Sequence, residues 1–403
     1  MRILKLSDVY FPRVNGVSTS IQTFRRSLAR LGHQVDLVAP AYPGSAVSEA
    51  GVLRVPGRAV PRDPEDRLMR YGALLEAGRS LAARRGYDLI HVHTPFLAHY
   101  AGLRLGRELG LPVVETYHTY FEEYFHHYLP FLPAGLLRFA ARRLTVGQCA
   151  SLAALVVPSR AMLEVLRGYG VTVPAEVVPT GLDLARFDGG DGARFRAAMG
   201  IEAGRPVVAH ISRVAFEKNI DFILRAFVRV HAARPEALLL VAGEGPAEGQ
   251  LRGLAGRLGI APAVRWVGYL DRDGDLLDCY RAADAFVFAS RTETQGLVLL
   301  EAMALGVPVV STAVLGTAEV LDGAEGAVGA AEDEAAFAGS VLAVLGDAGL
   351  RARLSAGGRR TAARWSADAL AARLAGLYSR VAARSQDPAS PATLATDGAH
   401  GPR

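Results

Sequence analysis

Cysteine is scarce in this chain of 403 residues: it has two, Cys149 and Cys279, which lie far apart within apolar sequence. Their placement favours two buried thiols over a disulfide, and it predicts a protein of a reducing compartment such as the cytoplasm. Long apolar runs are also missing, since charges or helix breakers interrupt every stretch that approaches the roughly 18 residues of a membrane span. The charges around Ile3–Leu6 favour a first β-strand over a signal peptide.

The chain also has little excess of charge, and what it has is unevenly distributed. The net charge is +5, and residues 1–190 hold the excess of Arg and Lys, whereas the remainder is close to neutral. A basic first half suits an anionic membrane surface or plain solvation. Aromatic residues make up 7% of the chain and do not alternate with basic ones as in single-strand binders, so we expect no nucleic-acid partner.

The length and the apolar pattern predict two α/β domains. A chain of this size exceeds one comfortable hydrophobic core, and short β-type runs alternate with longer helical patterns in both halves. We expect a first domain over residues 1–188, a second over 200–384 and a connection within 184–204. The pattern also predicts a helix over Glu65–Arg84. Open parallel sheets bind ligands beyond the carboxyl ends of their strands, so the cleft between the domains is the expected site.

The carboxyl-terminal end of the chain has a different composition from the domains. A last helix is predicted over residues 366–383, and residues 385–403 are rich in Gly, Ala, Pro, Ser and Thr. Such a segment cannot bury enough apolar surface to fold by itself, and it predicts a disordered tail.

The segment Ser290–Val310 carries the strongest functional signal. A strand ends near its start, a polar loop follows, and a helix begins near Gly296. The backbone N–H groups of Gly296, Leu297 and Val298 have no partner within such a helix, and they form a ready binding site for phosphate.

Two glutamates flank this helix start. Glu293 lies in the loop, and Glu301 lies one turn beyond Leu297 on the same helical face. The first carboxylate is placed to meet a reacting group, and the second is placed to accept hydrogen bonds from ribose hydroxyls. Either glutamate alone is more typical of a capping loop, but both within this string indicate a nucleotide-binding loop.

A second strand end carries two positive charges. Arg213 and Lys218 follow the strand Val207–Ile211 and precede a helix. Two cations that converge at a strand end suit a diphosphate, and they stabilise a diphosphate leaving group more as its negative charge develops. The spacing by itself is also common on solvated surfaces.

These motifs resemble the E-x7-E signature and the diphosphate-binding pair of family 4 retaining glycosyltransferases, and the resemblance runs from residue 2 to about residue 381. It implies the GT-B fold, in which two Rossmann-like domains face each other across a cleft. It implies a metal-independent hexosyltransferase that uses a nucleotide-sugar donor and no cofactor. The donor-binding residues that it implies are Gly16, Arg213, Lys218, Gly243, Gln295, Gly296, Leu297, Val298 and Glu301.

The resemblance also assigns the residues nearest the chemistry. His118 lies where the family places a histidine against the transferred sugar, and with Glu293 it forms the implied catalytic pair. His93 lies at the preceding strand end, and a structural role is the alternative for both histidines. Gly16 joins the first strand to the first helix, where a plain turn is the alternative to a donor contact.

Two segments depart from the family pattern or imitate another. Thr180 stands at the Asn position of the family's P-N-G-V-D segment, which leaves the conformation of that turn open. Asp271-Arg272-Asp273 matches the D-x-D metal motif of the other large glycosyltransferase fold. It precedes a helix, where Asp residues cap N–H groups, so we expect no metal site there.

The acceptor is predicted from the first half alone. The run Tyr117–Tyr128 resembles a segment of bacterial diacylglycerol glucosyltransferases and related lipid mannosyltransferases, which implicates Tyr120 and Tyr124. A following helix over residues 131–144 bears Arg138, Arg142 and Arg143.

That following helix has two interpretations. Helical spacing places Leu137, Ala141 and Leu144 on one face, with the arginines beside it. Such a helix lies on an anionic membrane or packs on the sheet, and both interpretations stay open.

The expected reaction is therefore α-retaining transfer of a hexose from a donor of the UDP-glucose or GDP-mannose type to a diacylglycerol-type lipid. The enzyme would be cytoplasmic and peripheral on the inner face of the cytoplasmic membrane. A soluble or polyprenyl-linked sugar is the alternative acceptor. A nucleotide-sugar-binding protein without catalysis, or an epimerase that needs only the donor site, are the alternatives of another class.

Overall fold

The first half of the chain builds a seven-stranded sheet. The computed structural model describes residues 1–43, 49–60, 63–118, 134–271 and 274–386. The strands of the first half are β1 (Arg2–Leu6), β2 (Gln34–Pro40), β3 (Val52–Val55), β4 (Gly57–Val60), β5 (Asp63–Met69), β6 (Leu89–Val92), β7 (Val113–Thr116), β8 (Ala154–Val157) and β9 (Ala175–Val177). The sheet order is β3-β2-β1-β6-β7-β8-β9, and every pairing in it is parallel.

Helices of the first half connect these parallel strands. They are α1 (Gly16–Arg30), α2 (Tyr71–Arg84), α3 (Leu97–Leu109), α4 (Ala134–Cys149) and α5 (Arg160–Tyr169). Their ends follow local chemistry. Asn15 caps α1 by accepting from the Ser18 N–H at 2.8 Å, and glycines in the left-handed region, Gly110 and Gly170, end α3 and α5.

The second half builds a six-stranded sheet. Its strands are β10 (Val207–Ile211), β11 (Leu238–Ala242), β12 (Val264–Gly268), β13 (Ala285–Phe288), β14 (Val309–Thr312) and β15 (Ala327–Ala330). They run in parallel in the order β12-β11-β10-β13-β14-β15. The central strands are buried along their whole length and are apolar except for His210, as a sheet covered on both faces requires. The two parallel sheets predicted from the sequence are confirmed.

Helices of the second half cover both faces of this sheet and continue beyond it. They are α6 (Gly192–Ala198), α7 (Ile220–Ala233), α8 (Glu248–Arg257), α9 (Asp275–Arg281), α10 (Leu297–Ala304), α11 (Gly316–Leu321), α12 (Glu334–Gly346), α13 (Ala348–Ala363) and α14 (Ala367–Gln386). Cys279 on α9 is a buried free thiol, and so is Cys149 on α4, which confirms the prediction for both.

The helix predicted to begin at Glu65 was wrong in its first turn. Residues 63–69 instead form β5, which pairs antiparallel with β4 as a two-stranded hairpin. Arg70 is extended, and the helix begins at Tyr71, where the apolar residues Leu74 and Leu75 first face the core. Pairing with β4 satisfies backbone groups that an exposed first turn would have left to water.

The connection between the sheets is ordered, and part of it packs on the second sheet. Residues 184–204 contain a 3₁₀ helix, Leu184–Phe187, followed by α6. Phe195 on α6 lies in the core of the second half, and Arg196 pairs with Asp284 at 3.0 Å. A linker interpretation from composition could not foresee this docking, because the partners lie almost 90 residues further along the chain.

The last helix returns to the first half of the molecule. Helix α14 packs against α1 and β1, and Leu374 and Tyr378 share a buried cluster with Ile3 and Phe24. The helix runs to Gln386, past the predicted end at residue 383. Residues 387–403, which hold nearly all of the predicted tail, lie outside the described residues.

Candidate functional site

A cleft of about 700 Å³ lies between the carboxyl-terminal edges of the two sheets. The first half contributes the loop from Pro12 to Val17 and the side chain of His118. The second half contributes the loop that follows β10 and residues 292–298 at the start of α10. The position agrees with the rule that open parallel sheets bind ligands beyond their strand ends.

The two predicted cations lie in this cleft, and each is paired with a carboxylate. Arg213 forms an ion pair with Glu217, and Lys218 forms one with Glu293. Asn219 adopts a left-handed conformation directly after Lys218, and its amide donates to the Ala289 carbonyl at 3.1 Å. The loop after β10 is therefore fixed against the end of β13, and both cations are held where an incoming anion would meet them.

The start of α10 lines the same cleft. Gly296 has a φ of 90°, and a Cβ atom there would lie 3.0 Å from a side-chain carbon of Thr317, so only glycine suits this turn. No side chain caps the helix at this end. The helix therefore begins at the cleft as the sequence predicts, and anion binding by the N–H groups near Leu297 and Val298 stays a prediction.

Glu301 is buried at the base of the cleft. It is 3% exposed, and its carboxylate accepts a hydrogen bond from the Tyr280 hydroxyl at 2.9 Å. The sequence interpretation missed Tyr280, which belongs to α9 and has no spacing relation to the motif. The ribose contact of Glu301 stays a prediction, and Tyr280 orients the carboxylate for it.

Gln295 lines the cleft, and its side chain is held by the turn at Thr180. Its side-chain oxygen accepts from the Thr180 N–H at 2.8 Å, and its amide nitrogen donates to the Thr180 carbonyl at 2.7 Å. The Thr180 hydroxyl donates to Ser20 on α1 at 2.8 Å. These bonds make Gln295 a positioning residue in the structure, and its contact with the donor stays a prediction. They also fix the turn that Thr180 left open.

The predicted glycines have different environments. A Cβ at Gly243 would lie 1.9 Å from the Ser212 carbonyl oxygen, so this glycine lets the ends of β11 and β10 approach each other. A Cβ at Gly16 would meet nothing within 4 Å, and this first residue of α1 faces open cleft. Gly243 thus has a structural reason to be glycine, whereas Gly16 leaves room for a ligand. Donor contact by either glycine stays a prediction.

His118 lines the cleft on the side of the first half, and it contacts a second histidine, His93. Its Nε2 lies 3.2 Å from Nδ1 of His93, and the two rings are stacked with centroids 5.5 Å apart. Burial, and then the nearby charge of Lys5, lower the pKa of His118 to about 3. His118 is therefore neutral at physiological pH, and it offers one N–H donor and one acceptor nitrogen to its surroundings.

The first-domain wall of the cleft also carries arginines. Arg13 pairs with Asp66 of the hairpin at 3.2 Å, and the guanidinium of Arg67 lies over the ring of Tyr42 at 5.9 Å. Arg13, Arg67 and Tyr42 all line the cleft. The sequence interpretation missed the pairing of Arg13 with Asp66 and the position of Arg67, because the hairpin strand that presents Asp66 and Arg67 was predicted as a helix.

The predicted acceptor segment is described only in part. Tyr120 and Tyr124 lie outside the described residues, as does the side chain of Leu137. On α4 the buried positions are Ala141, Thr145 and Cys149, which share a face because they are four residues apart.

Leu144, which the spacing predicts on the same face as Ala141, is 44% exposed. Phe139 is 63% exposed on the same helix. Arg138, Arg142 and Arg143 are exposed as well, and Arg142 lies over the Tyr169 ring at 5.0 Å. The outer surface of α4 therefore presents aromatic, aliphatic and basic side chains together.

The D-x-D segment and the membrane-span test add two observations. Arg272 and Asp273 lie outside the described residues, and within the described part of the chain no three His, Cys, Asp or Glu residues cluster as metal ligands. No single described helix is long and apolar enough to cross a membrane. Helices Glu334–Gly346 and Ala348–Ala363 meet the criteria only as a pair, which is bent by 98°.

Two parallel-sheet domains that face a cleft, with an uncapped helix start and two cations on one wall, are typical of the class of GT-B glycosyltransferases. Known families agree with this geometry. Residues 14–186 match the family described as "Glycosyltransferase Family 4", and residues 192–361 match "Glycosyl transferases group 1".

Two named relatives extend the match along the chain. This chain is 33% identical to the alpha-monoglucosyldiacylglycerol synthase of Streptococcus pneumoniae over 320 residues. That alignment covers 77% of this chain and 71% of the relative. This chain is also 31% identical to the D-inositol 3-phosphate glycosyltransferase of Thermobispora bispora over 398 residues, and that alignment covers 92% of this chain and 90% of the relative. The chain belongs to family 4 of the glycosyltransferases, and it is a glycosyltransferase.

Solved structures show the same fold. A sucrose-phosphate synthase from Thermosynechococcus elongatus superimposes with a TM-score of 0.78 at 22% identity, which covers 95% of this chain and all of that one. Anabaena HepE in complex with UDP-glucose gives a TM-score of 0.74 at 18% identity, which covers 94% and 100%. The fold is therefore GT-B.

Proposed function

We propose that this glycosyltransferase moves a hexose from a nucleoside-diphosphate sugar to diacylglycerol or a closely related lipid, with retention at the anomeric carbon and without a metal ion. The donor is of the UDP-glucose or GDP-mannose type. The enzyme acts in the cytoplasm, bound to the inner face of the cytoplasmic membrane.

The observation that carries the lipid acceptor is the outer surface of α4. Phe139 and Leu144 are exposed beside Arg138, Arg142 and Arg143, all in the first domain. Apolar side chains edged by arginines suit the boundary between lipid headgroups and acyl chains. The diacylglycerol named in the Streptococcus pneumoniae relative supports the same acceptor.

The donor wall supports the departure of a diphosphate. Arg213 and Lys218 exchange their carboxylate partners, Glu217 and Glu293, for the oxygens of the diphosphate when the donor binds. The bond between the anomeric carbon and the diphosphate oxygen then breaks, and the electron pair leaves with the diphosphate. The two cations and the start of α10 stabilise the charge that develops there.

Retention follows from attack on the face that the diphosphate leaves. The acceptor hydroxyl oxygen forms the new bond at the anomeric carbon, and its proton passes to a diphosphate oxygen, so that the products are the glycoside and the nucleoside diphosphate. Glu293, released from Lys218, contacts the transferred hexose, and His118 contacts it from the opposite wall. No step requires a metal, because the two cations and the helix start supply the positive potential.

A panel of labelled donors tests this proposal. UDP-glucose, GDP-mannose and their epimers are incubated with the enzyme and vesicles that contain diacylglycerol, and labelled lipid is extracted and its anomeric configuration is determined by NMR. An α-linked glycolipid formed from one donor is expected. Label that stays in the aqueous phase with every donor, or a β-linked product, would overturn the proposal.

A soluble acceptor that carries an anionic group is the second candidate. It is favoured by Arg13 and Arg67, which place two guanidinium groups on the first-domain wall of the cleft. The inositol phosphate named in the Thermobispora relative supports it. Transfer to an inositol phosphate that is lost in Arg67→Gln, with no transfer to diacylglycerol, would establish this candidate in place of the lipid.

A further inference from the structure

Five polar residues line one face of the first sheet directly beneath the cleft. Lys5 on β1 lies opposite His91 on β6 in the parallel register. His93 lies two residues beyond His91, and His118 lies two residues beyond Thr116, whose strand neighbours β6. Residues two apart share a sheet face, so these side chains form one row from the core to the cleft.

The row is sealed from solvent by two helices. Lys5, His91 and His93 are at most 1% exposed. Tyr378 on α14 covers the row, and its hydroxyl oxygen lies 2.5 Å from Nδ1 of His91. On the side of α1, Nζ of Lys5 lies 5.7 Å from the centre of the Phe24 ring. Only His118, at the end of the row, is partly exposed in the cleft.

Among the described residues, two atoms of the row have no hydrogen-bond partner. They are Nε2 of His93 and Nζ of Lys5, and both are buried. By contrast, His91 has partners for both ring nitrogens, since its Nε2 lies 2.7 Å from the Thr116 hydroxyl. A buried polar atom without a partner destabilises the folded state, so the arrangement at His93 and Lys5 calls for a reason beyond packing.

The unpartnered Nε2 atom bears on the tautomer of His93. A buried N–H without an acceptor is rarer in proteins than a buried acceptor without a donor, so the single proton of the neutral ring belongs on Nδ1, which has His118 as its partner. Lys5 lies in the same buried row, and burial, then the charge of Arg25, lower its pKa to about 7. After burial and the charge of His91, the charge of Lys5 lowers the pKa of His93, so it helps to keep that ring to a single proton.

We propose that Lys5 and His93 are positioning residues that fix His118 as an N–H donor toward the transferred sugar. His93 Nδ1–H donates to Nε2 of His118 across 3.2 Å. The neutral His118 ring must then carry its proton on Nδ1, the nitrogen left for the cleft. His118 thus offers a hydrogen-bond donor to a sugar oxygen, without a flip or a tautomer exchange during turnover. The inference rests on the proposed function only in that His118 faces the transferred sugar.

The first test reads the tautomer of His118 in the wild-type protein and uses one substitution only to assign the spectrum. The full-length protein is labelled with ¹⁵N-histidine, and the ring nitrogens of His118 are assigned by comparison with His118→Gln. The expected spectrum shows a protonated Nδ1 and an unprotonated Nε2 for His118, with UDP bound and without it. A protonated Nε2, or two tautomers in fast exchange, overturns the proposal whatever the acceptor is.

The second test uses matched variants of His93. His93→Asn keeps an N–H at the position of Nδ1, whereas His93→Leu removes it. With saturating donor and no acceptor, kcat for donor hydrolysis should fall at least about tenfold in His93→Leu and recover in His93→Asn, because a misplaced contact to the reacting sugar slows turnover. The UDP dissociation constant should stay within about twofold in both.

Lys5→Met is the companion variant, since it keeps the side-chain volume and removes the amine. It should leave the melting temperature intact or raised and allow His118 to populate both tautomers in the ¹⁵N spectrum. Equal kcat in His93→Leu and wild type, or a lone His118 tautomer that persists in Lys5→Met, overturns the proposal. Because donor hydrolysis and the spectrum require no lipid, failure of the diacylglycerol assay alone leaves this result independent.

Discussion

The two walls of the cleft handle charge in opposite ways. The second-domain wall holds formal charges in pairs, Arg213 with Glu217 and Lys218 with Glu293, all partly solvated. The first-domain wall reaches the same space through His118, a neutral ring backed by buried polar groups whose pKa values are lowered. Paired charges can exchange partners with an incoming diphosphate, whereas a neutral, fixed donor can discriminate hydroxyl groups.

This difference matches the two parts of the proposed donor, the diphosphate and the hexose. In the proposed reaction the leaving group is an anion whose charge grows, and positive charges that can change partners suit it. The proposed hexose is uncharged, and directed hydrogen bonds from donors held by burial suit it. The predictions below each test one side of this division.

The largest effect is expected on the charged wall. Lys218→Ala or Arg213→Ala should lower kcat by at least about a hundredfold, because each removes a charge that stabilises the leaving diphosphate. Steady-state kinetics with saturating donor measures the loss. Arg257→Ala, on the exposed end of α8, is the control and should retain wild-type kcat. Near-normal turnover in both cleft variants, with an unchanged melting temperature, would contradict the diphosphate assignment.

A comparable effect is expected outside the cleft, on the exposed surface of α4 that we propose binds the membrane. Changing Arg138, Arg142 and Arg143 to Gln should weaken binding to anionic vesicles by roughly a hundredfold, at about 1 kcal/mol for each charge. Co-sedimentation at low and high salt measures this binding, and high salt should also weaken the binding of the wild-type protein to anionic vesicles. Hydrolysis of soluble donor should be unchanged, since these side chains lie away from the cleft lining.

The matched control removes three exposed arginines from the second domain, Arg229, Arg257 and Arg353, to give the same net charge. It should sediment with vesicles like the wild type. Equal sedimentation of all three proteins, or no binding by any, would remove α4 from the acceptor proposal and favour the soluble acceptor.

A smaller effect is expected where the two walls are joined. Gln295→Leu leaves the Thr180 N–H and carbonyl without partners, which should lower the free energy of unfolding by about 2 kcal/mol. The loop that carries Glu293 also loses its anchor, so kcat should fall by about tenfold. Thermal unfolding measures the change in stability and steady-state kinetics measures the change in kcat. The UDP dissociation constant should equal that of the wild type. Weakened UDP binding with unchanged stability would restore the donor-contact role for Gln295.

The smallest effect is expected from chelation. If Arg213, Lys218 and the start of α10 neutralise the diphosphate, excess EDTA should leave kcat within about twofold of its untreated value. The measurement is hexose transfer before and after dialysis against EDTA. An absolute requirement for Mg²⁺ or Mn²⁺ that Asp271→Asn removes would show that the charged wall is incomplete without a metal.

Local sequence determined much of this protein. Alternating strand and helix patterns predicted both parallel sheets, because a strand that is buried on both faces consists largely of consecutive apolar residues. Glycine at position 296 and the spacing of Glu293 from Glu301 predicted the helix start, since both depend on residues within one turn and its loop. Residues 63–69 were missed, because their pairing with β4 overrides a weak local preference.

Only the tertiary structure decided which groups meet across the chain. Lys218 pairs with Glu293, 75 residues away, Gln295 holds Thr180, 115 residues away, and His91 meets Tyr378, 287 residues away. No spacing rule links such pairs, because they are brought together by the packing of two sheets and the return of α14. Sequence therefore determined the two sheets and where ligating groups occur along the chain, and the fold determined their partners, their protonation and their orientation.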